Sequence, residues 1–216
     1  MIKAVIFDMD GLMFDTEKLW EETFVVVGKK MNYNITKEFH LKTISSNYKA
    51  IEKMFAEEFG KDFPFDVFYK EARLYMDGKI KKEGLKIKEG LFELLNYLKE
   101  KNYLIAIASS SKKERIEWYL KIANINKNLF TTITSGDEIK RGKPYPDIFI
   151  KTCQKLNVKE EEAIVLEDSN NGIKAAKKSG CVTILIPDLD TIKEGAIFDY
   201  KLKSLKEVIN LLETRW

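Results

Sequence analysis

Residues 2–11 read IKAVIFDMDG. The first six make a mostly apolar run, too short for a helix and suited to a strand buried on both faces. The run ends at Asp8 and Asp10, one residue apart, and Gly11 then permits a sharp turn. If the strand continues to Asp10, both carboxylates leave the same face. Two carboxylates that close repel each other unless one keeps its proton or a cation intervenes. An Asp-x-Asp taken alone reads more readily as a turn whose side chains cap local amides. What the rest of the chain sets beside it decides between the two.

Outward from this strand, residues 16–82 carry helical spacing throughout. Ile51, Met54, Phe55 and Phe59 repeat on one face, as do Phe65, Phe68, Tyr69 and Ala72. From residue 91 onward helix and strand alternate. Strands are predicted at 104–108 (LIAIA), 131–134, 163–166 (AIVL) and 182–186 (VTILI). Helices are predicted at 91–100, 113–122, 147–156, 172–179 and 205–212. Short apolar strands separated by helices of about ten residues imply an α/β fold, a Rossmann-like parallel sheet with helices on both faces. The helical stretch after the first strand fits no crossover in such a sheet. It is predicted to be a small inserted helical cap, residues 16–82, on a core made of 1–15 and 83–216. The charged segment 79–88, with Gly84, suits a solvated return linker.

Composition excludes several classes. Lys plus Arg number 37 against 34 Asp plus Glu, a net charge of +3 that is too small to point to nucleic acid or a membrane surface as partner. A chain of 216 residues, 44% hydrophobic, can build its own core without staples. Cys153 and Cys181 make no secreted disulfide framework. No apolar run approaches the ~20 residues that span a bilayer. The acids inside residues 1–11 argue against a signal peptide. A monomer in a reducing, cytoplasmic compartment is the expectation.

In an open parallel sheet, ligands bind beyond the carboxyl ends of the strands. After LIAIA come Ser109, Ser110, Ser111 and Lys112, a helix N-cap that could also receive an anion. Lys143 sits between Gly142 and Pro144, a placed charge or one more solvated lysine. AIVL ends in Glu167 and Asp168, followed by SNNG. Each feature has an ordinary structural reading. Together on one sheet edge they would gather four carboxylates, a hydroxyl cluster and one lysine. Four such acids without a cation would cost the fold heavily. Hard oxygen ligands are what Mg²⁺ prefers, and an acidic metal site with Ser and Lys beside it suits phosphoryl transfer.

These segments, FDMDGLMFDTE, SSSK, GKPYPDIF and EDSNNGIKAAKKSG, resemble the four ordered motifs of the haloacid dehalogenase superfamily over essentially the whole chain. The chain looks most like the β-phosphoglucomutase-like phosphatases, which carry a small helical cap after the first motif. The resemblance implies that Asp8 is the nucleophile that forms an aspartyl-phosphate. Asp10 would be the acid, then the base. Mg²⁺ would be held by Asp8, the Asp10 carbonyl and Asp168, with Glu167 supporting through water. Ser109, Ser110 and Lys143 would bind the phosphoryl oxygens. The substrate would be a small phosphorylated metabolite.

Three departures bear on the reaction. Trp20 stands where the mutases have a hinge histidine, Ser46 where they have an arginine for a second phosphate, and Thr43 where the family usually has glycine. Hydrolysis of a sugar phosphate is therefore expected over the alternative, a phosphohexomutase. A catalytically silent binding protein on the same fold is a further alternative, against which all the motif acids stand. Glu17 and Trp20 are the candidate substrate contacts from the cap. His40, the only histidine, has no partner cluster in the sequence and is expected to pack in the cap or lie at the surface.

Overall fold

A computed structural model describes residues 1–216 apart from 45, 47, 189–191 and 193. Six parallel strands lie in the order β3-β2-β1-β4-β5-β6. They are β1 (Ala4–Phe7), β2 (Leu104–Ser109), β3 (Thr132–Ser135), β4 (Ala163–Glu167), β5 (Val182–Leu185) and β6 (Tyr200–Lys201). β1 is central. Phe7 pairs with Ile107 on one side and Leu166 on the other.

The apolar strands are two-sided. Val5 and Phe7 share one core with α5 (Leu91–Glu100), α6 (Lys113–Ile122) and α9 (Lys206–Arg215). Ala4 and Ile6 face the opposite core, with α7 (Asp147–Leu156) and α8 (Asn170–Ser179). Alternation along β1 thus sends successive side chains into two helical layers, so every position must be apolar. This is the expected α/β architecture. Cys153 and Cys181 are buried free thiols with Sγ atoms 3.7 Å apart.

Between β1 and α5 the described residues form four helices: α1 (Glu17–Lys30), α2 (Lys37–Thr43), α3 (Tyr48–Phe59) and α4 (Phe65–Glu83). They close on a separate aromatic core. The ring of Phe55, fully buried, lies 4.8–5.6 Å from those of Phe24, Phe39, Phe59, Phe63, Phe65 and Phe68. Mostly tilted and edge-on, these contacts suit the ring quadrupoles.

β1 ends at Phe7, as read, and does not continue to Asp10, so Asp8 and Asp10 are not related by strand alternation. Gly11, at φ +83°, turns the chain, and its amide donates to the carbonyl of Phe14 at 2.9 Å. Residues 79–83 belong to α4, and only Gly84, at φ +84°, ends it. β6 has no counterpart in the prediction. Two residues at a sheet edge leave too little apolar pattern to see. Among the described residues, no helix is long and apolar enough to cross a membrane.

Candidate active site

The parallel register sets the ends of β1, β2 and β4 side by side. Asp8 follows β1 and its amide donates to the carbonyl of Leu166 at 3.1 Å. Glu167 ends β4 and Asp168 follows it. All three carboxylates are buried, and ligand oxygens from each lie within 4.8 Å of one another.

Lys143 reaches this cluster from the loop before α7. Its ammonium, itself buried, donates to Asp8 Oδ1 and to Glu167 Oε1, each at 2.5 Å. Burial works to lower the lysine's pKa, but the two carboxylates outweigh it and hold the group firmly charged. Glu167 is fully occupied. Its second oxygen, Oε2, accepts the amides of Asp168 and Ser169 at 2.9 and 3.0 Å and the Ser169 hydroxyl at 3.0 Å. It therefore serves as the fixed post on which Lys143 is aimed. Beside the expected role in supporting a metal through water, it bonds directly to Lys143 and to the amides at the start of α8, within the acidic cluster that could hold an ion.

Three carboxylates face one ammonium here, and the imbalance shows. Burial pushes Asp8 well above the usual carboxylate range, with Glu167 and Asp10 adding to the effect and Lys143 opposing it. Burial, then Glu167, Asp8 and Glu17, push Asp168 up as well. Asp168 Oδ1 is buried and accepts no hydrogen bond among the described residues. The backbone at Gly11 comes so close that an added Cβ would lie 2.2 Å from Asp168 Oδ2. An all-oxygen donor set with excess negative charge, one oxygen unsatisfied and a backbone segment pressed against it, fits a hard divalent cation.

Asp10 is treated differently. It is half-buried, and its two oxygens accept hydroxyl hydrogen bonds from Thr16 at 2.8 Å and Ser111 at 3.0 Å. Thr16 was not singled out in the sequence, and Ser111 was named there only as part of the serine run after LIAIA. Their signals were present, in DTE six residues after Asp10 and in the third serine of SSSK. Ser109 is buried at the end of β2, with its hydroxyl accepting the Ser111 amide at 3.1 Å.

The profile of the haloacid dehalogenase-like hydrolase family matches residues 5–186. The chain belongs to that family. A phosphorylated carbohydrates phosphatase of Thermotoga maritima is 30% identical over 98% of this chain and 99% of its own. Among solved structures, CbbY from Rhodobacter sphaeroides in complex with phosphate superposes with a TM-score of 0.82, at 24% identity over 96% of each chain. A β-phosphoglucomutase from Clostridium difficile superposes with a TM-score of 0.81, at 22% identity over the full length of both. At those identities the two structures speak to the fold alone.

In this hydrolase a cleft of about 940 Å³ opens from Asp8 and Asp10 toward the helical insertion. Ser109, Ser110 and Ser111 line it from the core side, and Glu17, Trp20 and His40 from the other. Glu17 and His40 are both buried and approach to 3.4 Å. Burial raises the Glu17 pKa, with His40 opposing. His40 thus packs in the insertion, against Phe24, with one edge to the cleft. Trp20 stacks on Tyr69, with centroids 5.9 Å apart and planes at 21°.

The aiming of Lys143 depends on Gly172. A Cβ there would lie 1.7 Å from Glu167 Oε1. Replacing a helical glycine by alanine ordinarily stabilises by about 0.5–1 kcal/mol. Gly172→Ala is expected to reverse that sign and destabilise the hydrolase by about 1–3 kcal/mol, because the methyl group must displace a buried, bonded carboxylate. Urea unfolding of the variant beside the wild type measures it. Neutral or positive stability would mean that Glu167 is not held as described.

Proposed function

We propose that this hydrolase cleaves a small phosphorylated metabolite, a sugar phosphate, through an aspartyl-phosphate on Asp8. The observation that carries the reading is the contrast between its two neighbouring aspartates. Asp8 is buried and clamped by Lys143, whereas Asp10 is half-buried and steadied by two hydroxyls at the edge of the cleft. One is placed to form a bond and the other to exchange a proton with the cleft.

Asp8, Asp168 and the Asp10 carbonyl would hold Mg²⁺, with Glu167 behind them. Such an ion supplies charge neutralisation for a phosphoryl group beside carboxylates. The protein's own groups do the rest. An Asp8 carboxylate oxygen attacks phosphorus, and the ester bond to the leaving oxygen breaks. Asp10 gives that oxygen its proton. Asp10 then takes a proton from water, whose oxygen attacks the acyl phosphate and returns Asp8 as a carboxylate. Lys143, Ser109 and Ser110 orient the phosphoryl oxygens. Residues 16–82 act as a cap over the 1–15 and 83–216 core and choose the alcohol, with Glu17 and Trp20 facing it.

Hydrolysis is preferred to the phosphohexomutase alternative because Trp20, held against Tyr69, offers no hinge imidazole. The name of the Thermotoga relative points the same way. The test is inorganic phosphate release from p-nitrophenyl phosphate and a panel of sugar phosphates, with Mg²⁺ and after chelation. Release that needs the cation by a factor of about 100 or more is expected. Bisphosphate-activated isomerisation with little free phosphate would favour the mutase. Equal activity in both conditions would defeat the metal assignment, and total inertness would favour a binding protein.

A further inference from the structure

Cys153 and Cys181 take no part in the chemistry above, and they are the chain's two cysteines. They lie 28 residues apart in sequence, yet their Sγ atoms meet at 3.7 Å, close enough for one thiol to donate to the other. Both are free and buried in the core that α7 and α8 form against the sheet, a core shared with Phe149, Val165, Ala175 and Ala176. A buried cysteine alone is an ordinary small apolar residue. Two that meet across separate elements have a chemistry that neither has alone.

Each backbone is anchored. Cys153 lies in the second half of α7, and its carbonyl accepts the Val158 amide at 3.1 Å. Cys181 follows Gly180, the left-handed residue that ends α8. Its amide donates to Ser179 Oγ at 3.4 Å, and its carbonyl accepts the Thr183 hydroxyl at 3.2 Å. From 3.7 Å, the sulfurs need to close by only roughly 1.7 Å to reach the length of a disulfide bond. The contact also makes the pair unequal. It pushes the Cys153 thiol up, as burial does, and draws the Cys181 thiol down against the opposing effect of burial. Cys181 is therefore the first of the two to ionise. The near ends of the same helices belong to the site: Lys143 stands in the loop before α7, and Asp168 and Ser169 come directly before α8.

We propose that Cys153 and Cys181 are a redox modification site, at which a low-molecular-weight disulfide installs an intramolecular bond that staples α7 to the chain between α8 and β5. The exchange balances in two steps. While the chain is folding or locally open, the Cys181 thiolate attacks one sulfur of the small disulfide, forms a mixed disulfide and releases one small thiolate. The Cys153 thiolate then attacks the Cys181 sulfur, closes the protein disulfide and releases the second. The two cysteines lose two electrons, the small disulfide gains them, and the two thiol protons end on the two small thiols. Folding encloses the product, so a small reductant reaches it only when the chain opens. The bond stabilises by restricting the unfolded chain across a separation of 28 residues.

The test uses the reduced full chain, held in urea just below its unfolding midpoint with a mixture of oxidised and reduced glutathione, beside the same chain in dithiothreitol. After the urea is removed, both thiols should have gone from the glutathione sample when it is titrated in denaturant. Its mass should fall by two hydrogens, with no glutathione adduct and no covalent dimer. The oxidised protein should melt about 5–10 °C above the reduced one. Dithiothreitol should reverse both changes in urea, and should act at least about tenfold more slowly without it. Cys153→Ala and Cys181→Ala should each abolish the response of the melting temperature to glutathione. Thiols that stay titratable, a lasting glutathione adduct or a dimer would overturn the proposal. So would a disulfide form that melts no higher than the reduced protein. The wild-type comparison stands even if neither variant folds, because the chain has no third cysteine to make another internal bond.

Discussion

Asp8→Asn is expected to abolish phosphate release, lowering kcat by about 10⁴-fold or more, as loss of a covalent nucleophile does elsewhere. The fold should survive. Burial already disfavours the charge on Asp8, so a neutral amide of the same shape removes a penalty as well as the Lys143 contact. Lys143 keeps Glu167 as its partner. Melting temperatures of the two proteins should therefore agree within a few degrees, while turnover of p-nitrophenyl phosphate disappears. Residual activity above about one per cent would show that another group forms the bond to phosphorus. A collapsed melting temperature would mean that the carboxylate is structural first.

The second large effect is on stability. Lys143→Met should destabilise the metal-free protein by about 3–5 kcal/mol near neutral pH, the usual result of removing one partner from a buried ionic cluster. The one ammonium bonded to the cluster among the described residues goes, and Asp8, Glu167 and Asp168 are left facing one another. The pH dependence has a definite sign. Asp8 and Asp168 already have folded-state pKa values above their usual ones, and loss of the lysine raises them further. A carboxyl with a raised folded pKa binds its proton more tightly when folded, so its contribution is greatest in acid and is lost as pH rises through that value. The gap between variant and wild type should therefore narrow between neutral pH and an acidic pH at which Asp8 and Asp168 protonate. Mg²⁺ should narrow it as well, by binding only the folded chain. Urea unfolding at the two pH values, with and without Mg²⁺, measures both. A gap that widens in acid would contradict the charge balance described for the cluster.

How much of this was legible beforehand depended on the range of each interaction. The five longer strands and the helices of the core could be read from local pattern, because a strand buried on both faces must be apolar at every position and a helix must repeat with its turn. β6 could not, since two residues at an edge carry no pattern. The end of β1 at Phe7 was legible, but whether the strand ran on to Asp10 was not, because the turn at Gly11 is set by Phe14, which closes it from beyond the run of apolar residues. Asp8, Asp10, Lys143, Glu167 and Asp168 could be nominated because they end strands or sit in a marked loop. Their partners could not be assigned.

The sequence by itself determined the layered architecture and the kind of atoms at its rim, since burial and alternation act over a few neighbouring residues. Only the tertiary structure decided that Lys143 stands between Asp8 and Glu167, 135 and 24 residues away. It alone paired Ser111 with Asp10 and left Arg73 at the cleft without an ion pair among the described residues. Those outcomes depend on distances between elements, and such distances are settled by how whole helices pack, through forces that no local pattern records.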